Sequence, residues 1–457
     1  MFRRIAQSRF ARDAAVLQVA AGITSMGNLL STIALAFLLG AEMQGTYYVA
    51  TAVYALFYLF GNVGLQTVTV SHVARAVGAG DREGVVAWLG FLVKAGALLG
   101  VGLLGLAIVA LPSISDHFYD DSRIGIWAVW LCASPVIELP RMVSAAAFQG
   151  TRRMRDLAML ENFVEIGRVF LVISGILIVG GAEGAIAGTL AASALGSVLA
   201  VLIYVRVRRE LMADPEHKAV LPGVRELLRG SREISLREGL PQGIQVGVLR
   251  NLDALALDVA PMLLMGHYGS PAQVAYFRIA QRFLRTPLMF LQGISRTAVP
   301  ALSGLAKASD PTRFRKLFYR ATLGGGLLIS SGILIALPLI PLVSRYTLPQ
   351  DYWGEVTRDA WLLAFGFIVT SFSGALESFY IAAGRVRQAL RIGLLIGGPL
   401  ILSMAVGGHF FGADGVVVGC TLTLSIGFAH HIYIWRCFRS GQPILIQSGA
   451  EPSGSPV

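Results

Sequence analysis

Apolar stretches of about 20 residues or more recur from one end of this 457-residue chain to the other, each long enough to cross roughly 30 Å of hydrocarbon as an α-helix. No water is present at that depth to satisfy backbone N–H and C=O groups, so such stretches must form helices or a closed barrel. The two-residue alternation of a barrel strand is absent, which leaves a polytopic helical membrane protein. Composition agrees: 55% of the residues are hydrophobic and 14% charged, against about 25% charged in a soluble domain. The formal net charge of +11 could suggest nucleic acid, but the basic residues lie between apolar runs rather than on a solvated domain. Topology explains them better, and no nucleic-acid partner is expected.

Twelve spans are expected, near 15–39, 46–68, 84–111, 124–148, 156–180, 184–205, 241–265, 274–301, 319–343, 358–383, 389–409 and 415–435. The connections then alternate in charge. Segments assigned to one side hold 27 of the 38 Lys and Arg, opposite segments hold three (Arg123, Arg345, Arg358), and eight fall inside spans. Excess Lys and Arg marks the cytoplasmic side, so both termini are expected there. The basic opening MFRRIAQSRFARD precedes a long span without a small-residue cleavage site and reads as a retained first helix. The expected organisation is an N-terminal six-helix lobe at 1–205, a basic cytoplasmic linker at 206–240, a C-terminal six-helix lobe at 241–437 and a flexible cytoplasmic tail at 438–457. The linker, with its eight Lys and Arg, reads as a solvated connection carrying a surface helix along anionic lipid.

A shift of 229 residues lays the second span on the eighth. Leu35 meets Leu264, Gly40 meets Gly269, Gln44 meets Gln273, Tyr47 meets Tyr276, Gly64 meets Gly293 and Asp81 meets Asp310. Two six-span halves that start on the same side imply parallel repeats about an axis along the membrane normal. One difference between the halves stands out. Arg278, Arg282 and Arg285 align with Val49, Val53 and Leu56, so the second half carries a basic face where the first is apolar.

With Arg296, these arginines fall at offsets 0, 4, 7 and 18, beside Gln281 and Gln292 and with no acid in Val274–Leu302. At about 100° per residue they share one narrow helix face. Charge inside a bilayer is turned toward a bundle interior or a wet cavity, so the stripe suggests a site for an anion. Guanidinium suits that purpose because its planar fork stays charged and grips phosphate through two hydrogen bonds. The structural alternative is pairing with Glu161, Asp258 or Glu377 on other helices. Pro287 and Pro300 are expected to bend this helix.

Three further acid–base pairs fall at i,i+3 inside spans: Glu138 with Arg141, Glu165 with Arg168, and Arg250 with Asp253. Such neighbours neutralise one another locally, or serve ion coupling. Asp258 and Glu161 have no oppositely charged residue three or four positions away in the sequence, and Glu161 shares a face with Glu165. The candidates are therefore Arg278, Arg282, Arg285, Arg250 and Arg296 for an anionic substrate, and Asp258, Glu161, Glu165 and Asp253 for a coupling ion. Lys94 would pair with an acid elsewhere or snorkel. Cys132, Cys420 and Cys437 show no metal or disulfide spacing, and no phosphate-binding loop or catalytic motif is visible. No metal and no cofactor are expected.

The segment FLLGAEMQGTYYVATAVYALFYLFGNVGLQTVTVSHVARAVGAGDRE resembles the opening of Wzx-type polysaccharide flippases in Leu38, Leu39, Gly40, Gly45 and Tyr47. The stretch AYFRIAQRFLRTPLMFLQGISRTAVPALSGLA is similar to the eighth span of the multidrug/oligosaccharidyl-lipid/polysaccharide exporter (MOP) superfamily in Tyr276, Ala280, Arg282, Pro287 and Pro300. The resemblance implies an all-α fold of two six-helix lobes in a V around a central, cationic cavity. It also implies transfer of undecaprenyl-pyrophosphate-linked oligosaccharide across the bacterial inner membrane by alternating access. The expected partners are that lipid-linked oligosaccharide, membrane lipids, H+ or Na+ as coupling ion, and a polysaccharide polymerase and glycosyltransferases. The alternatives are a cation-coupled multidrug antiporter of the same superfamily, whose cavity would want the opposite sign, and a membrane scaffold subunit of a polysaccharide synthase.

Overall fold

The computed structural model describes residues 9–61, 64–213, 221–288, 311–376, 379–380, 383 and 385–439, and no strand occurs among them. The helices are α1 (Arg9–Gly61), α2 (Leu65–Ala79), α3 (Arg82–Tyr119), α4 (Ser122–Ile137), α5 (Leu139–Gly150), α6 (Met154–Val179), α7 (Gly181–Ala213), α8 (Val224–Glu233), α9 (Leu236–Ala254), α10 (Ala260–Tyr268) and α11 (Pro271–Arg285). After them come α12 (Pro311–Tyr319), α13 (Gly325–Ala336), α14 (Ile340–Thr347), α15 (Trp353–Ser371), α16 (Val386–Ile392), α17 (Gly398–Leu424) and α18 (Gly427–Arg439).

Among the described residues six helices are long and apolar enough to cross a membrane, or seven if α4 and α5, bent by 43°, form one span. Local backbone chemistry accounts for much of the difference from twelve. The first two expected spans lie largely within α1, interrupted only at Gly40, whose φ of 72° and ψ of 170° belong to a region that side chains forbid. The second expected span, 46–68, runs past the end of α1 at Gly61 into α2, which begins at Leu65. The last two expected spans run along α16 to α18, with a similar interruption inside α17 at Gly412. The expected seventh span is divided into α9, a π-helical turn at Leu255–Val259 and α10. Helix starts follow ordinary capping chemistry. The Asp81 carboxylate accepts from Gly84 N at 2.9 Å, and the Asp121 carboxylate from Arg123 N at 2.9 Å.

Two compact units are formed, Met1–Tyr276 and Phe277–Val457. In the first, α6 and α7 cross closely: a Cβ on Gly175 would lie 2.2 Å from Gly184 O, and one on Gly188 2.3 Å from Leu171 O. Without a hydrophobic drive between helices in lipid, such small-residue crossings supply close backbone packing. The core of this unit gathers Leu89, Phe91, Leu92, Phe148, Leu157 and Tyr204.

The expected linker is packed rather than simply solvated. Helix α7 continues through Ala213, and Leu221 and Leu227 are buried in the same core. Helix α8 crosses α3 at glycines, with a Cβ on Gly90 only 2.7 Å from Ser231 N. Lys94 donates to the carbonyl of Ile234, the residue that follows α8, at 2.8 Å. Arg82 pairs with Glu226 at 2.7 Å, and Tyr204 donates to Pro222 O at 2.8 Å. The Gly223 N–H and the Arg82 guanidinium hold Glu226 below the usual carboxylate range. Helix α9 packs on α2 and α3, and α10 on α1.

The internal repeat has a local counterpart. Gly40 and Gly269 both stand at breaks that precede a helix start. Those two starts touch: a Cβ on Gly45 would lie 1.6 Å from Pro271 O.

In the second unit, α13 and α15 are joined by the Ser330–Ser371 hydroxyl pair at 2.7 Å and by Ser371 Oγ to Gly326 O at 3.1 Å. Helices α15 and α17 are joined by Thr370 to Leu424 O at 2.8 Å and Thr421 to Leu362 O at 2.9 Å. Phe314, Phe318 and Phe379 form a buried aromatic core at one end.

Candidate functional site

Helix α11 begins with a capping box. Ser270 N donates to Gln273 Oε1 at 2.9 Å, Gln273 N to Ser270 Oγ at 3.4 Å, and Pro271 fills the first position, where no N–H is needed. The helix ends at Arg285, two residues before Pro287, as expected from the clash a proline ring makes with the residue before it. Thr286 closes the end by donating from Oγ1 to Arg282 O at 3.0 Å.

Between these ends Arg278, Arg282 and Arg285 lie on one face, and all three are half-buried. Arg278 Nη1 donates to Gln281 Oε1 at 2.7 Å, and Gln281 is itself buried. Phe277, Ile279, Ala280 and Leu284 are fully buried on other sides of the helix. No residue from Pro271 through Leu288 is exposed. A helix face turned to acyl chains looks different: Phe163, Ile166 and Phe170 on α6 are 57%, 57% and 69% exposed. The arginine face is therefore turned inward. Three guanidinium groups within two turns can engage one polyvalent oxyanion from several directions.

The candidate acids fall in distinct settings. Glu138 and Arg141 form an ion pair at the α4–α5 bend, between Pro135 and Pro140, and Ser193 of α7 donates to the same carboxylate at 2.7 Å. Glu165 and Arg168 pair at 2.6 Å, and Arg168 also donates to Asn28 Oδ1 at 2.9 Å. Glu165 is thus held within a polar link between α1 and α6. Glu161, a turn away, is exposed on the side of α6 opposite Phe163, Ile166 and Phe170. Asp258 is half-buried in the π-helical turn, where Ala260 N donates five residues back to Leu255 O. Pro261 supplies the cause, since it has no N–H to continue the ladder. Single π turns of this kind are frequent at functional positions. Arg296, Gln292, Pro300 and Glu377 lie outside the described residues, as do the side chains of Arg250 and Asp253.

Several polar groups escape a reading of single spans. Asn28 and Ser193 acquire meaning only from the helix they meet. Asp359 is 6% exposed in α15, beside the Arg358–Asp414 ion pair. The Pro261 turn had a signal, a proline three residues after an in-span aspartate.

A family model described as polysaccharide biosynthesis protein matches residues 10–306. An inward-facing multidrug resistance MATE family transporter of the MOP superfamily has TM-score 0.70 at 16% identity, covering 93% of this chain and 98% of its own. A eukaryotic MATE transporter has TM-score 0.67 at 16% identity, covering 94% and 96%. An outward-facing MATE family transporter has TM-score 0.60 at 16% identity, covering 96% and 98%. A search of curated proteins found no match. At such identities the structural likeness speaks for the fold, the two-lobe fold of MOP transporters. With the family model spanning more than half of the sequence, the chain belongs to the polysaccharide biosynthesis protein family, and it shares the fold of MATE transporters.

Proposed function

We propose that this protein moves a lipid-linked oligosaccharide, carried on undecaprenyl pyrophosphate, across the bacterial inner membrane by alternating access. The observation that carries this reading is the inward-turned face of Arg278, Arg282 and Arg285 on a helix with no exposed residue and no acid in its sequence. A pyrophosphate needs several fixed donors at once, and guanidinium forks supply them without losing charge. A cationic drug would need the opposite sign. Asp258 and Glu161 are the carboxylates we assign to a coupling proton or sodium ion: one sits in an irregular turn, the other is exposed on the side of its helix away from lipid. An ion can drive movement only if it binds the inward and outward states unequally. Glu165, held by Arg168, would act with them only by exchanging that partner.

The test is the double substitution Arg282→Ala with Arg285→Ala, scored by glycan delivered to the outer face in cells. Each lost charge-assisted contact weakens binding by about 1.5–3 kcal/mol, so delivery should fall by at least tenfold at normal protein level. Unchanged delivery would remove these residues from the mechanism.

A further inference from the structure

The two basic ends of this chain differ in a way that topology alone does not explain. In the first unit acids are interleaved with the cations: Arg206 and Arg153 both pair with Glu210, at 2.9 and 2.8 Å, and Arg82 pairs with Glu226. In the second unit α12, α16 and α18 carry no Asp or Glu. These helices meet at one end. Phe318 and Tyr319 of α12 lie 5.9 and 5.7 Å from Phe438 of α18, ring to ring. Arg385, just before α16, donates to Tyr433 OH at 3.0 Å and Cys437 Sγ at 3.3 Å.

The cations at this end are set on aromatic faces. The Arg315 guanidinium lies 5.9 Å from the ring centres of both Tyr319 and Phe438, and that of Arg439 lies 5.2 Å from Trp435. The level is that of a membrane interface. Along α18, Phe428, Ile432 and Trp435 form an exposed apolar stripe that ends at exposed Arg439. Exposed Arg320 is followed within a turn by Leu323, 51% exposed, and exposed Arg391 by Leu394, 53% exposed. On three separate elements the last outward cation thus adjoins the first outward apolar side chain. At a membrane interface cations so placed stand at headgroup level, which is also the depth that Trp rings prefer.

We infer that this end of the second unit, centred on Arg315, Arg439 and exposed Arg436, which follows Trp435 in sequence, binds the headgroups of anionic phospholipids. The positive-inside rule requires an excess of cations. It does not require aromatic backing, or three converging helices free of acid.

The experiment uses the full-length protein in neutral detergent, with phosphatidylglycerol and phosphatidylcholine titrated separately and bound lipid read by native mass spectrometry. The wild type should prefer phosphatidylglycerol. The triple variant Arg315→Gln, Arg436→Gln, Arg439→Gln should lose on the order of a hundredfold of that preference, near a factor of five for each cation. Retained preference overturns the inference. Full displacement by inorganic pyrophosphate would also overturn it, by marking a site for soluble phosphate. A second measurement needs no variant: photoactivatable phosphatidylglycerol should label peptides from 311–320, 385–392 and 427–439 of the wild type. Labelling confined to other segments would sink the assignment.

Discussion

Arg141 and Glu138 show how little of a buried ion pair a span pattern reveals. Their spacing is readable, but Ser193, which donates to the same carboxylate, comes from a helix more than fifty positions away in sequence. Both side chains are about a quarter exposed, at 29% and 24%, so the penalty for stranding one charge is below that of a fully buried pair. Arg141→Ala should destabilise the protein by about 1–3 kcal/mol. Removing both charges, as Glu138→Ala with Arg141→Ala, should be less damaging than the sum of the single changes, because neither charge is then left alone. A double-mutant cycle by detergent denaturation measures this, and additive losses would show that the pair is not coupled. Lys94 carries the same lesson. It reads as a stray in-span cation, and it proves to hold the carbonyl of Ile234, just past the end of α8. The three arginines of α11 are the counterexample: offsets of four and three put them on one face whatever they meet.

Helices α1, α11 and α17 show where periodicity ends and backbone chemistry begins. Apolar length located the membrane segments, yet Gly40 and Gly412 decide where the direction changes. The start of α11 was legible, since Ser270-Pro271-Ala272-Gln273 is a capping sequence. What Gly45 does was not legible. It resembles any turn glycine, but its missing Cβ admits the Pro271 carbonyl. Gly45→Ala should therefore force the two equivalent helix starts apart and destabilise by about 1–3 kcal/mol or more. Gly22→Ala, in the same α1 and with nothing within 4 Å of its new methyl, should be neutral or slightly stabilising. Thermal unfolding of the two variants side by side checks this, and equal melting temperatures would refute the close crossing. The linker departs from expectation for a related reason. Its charge suggested solvation, while Leu221, Leu227 and Gly230 supply a buried face that pattern alone did not weigh.

The whole molecule joins a superfamily fold to a charge asymmetry. The fold is shared at 16% identity with MATE transporters, so packing tolerates wide change in sequence while the sign of the interior does not follow from it. The orientation has its own test. Exposed Ser122 falls among the residues of the acid-rich side, and exposed Arg225 among those of the basic side. With Cys132, Cys420 and Cys437 all buried, Ser122→Cys should react with an impermeant maleimide in cells with a permeabilised outer membrane. Arg225→Cys should react only after the inner membrane is opened. The reverse pattern would invert the proposed topology.

By itself the sequence determined the solvent, the helical class and the face on which the arginines stand. Hydropathy, charge alternation and helical period are local or additive, and they survive any rearrangement of neighbours. Only the tertiary structure decided which acids are engaged, that Asn28 joins Arg168, that Lys94 holds the Ile234 carbonyl and that Gly45 meets Pro271. Those facts depend on which helices touch and at what height, and close packing of unlike surfaces leaves no trace in the order of residues along any one of them.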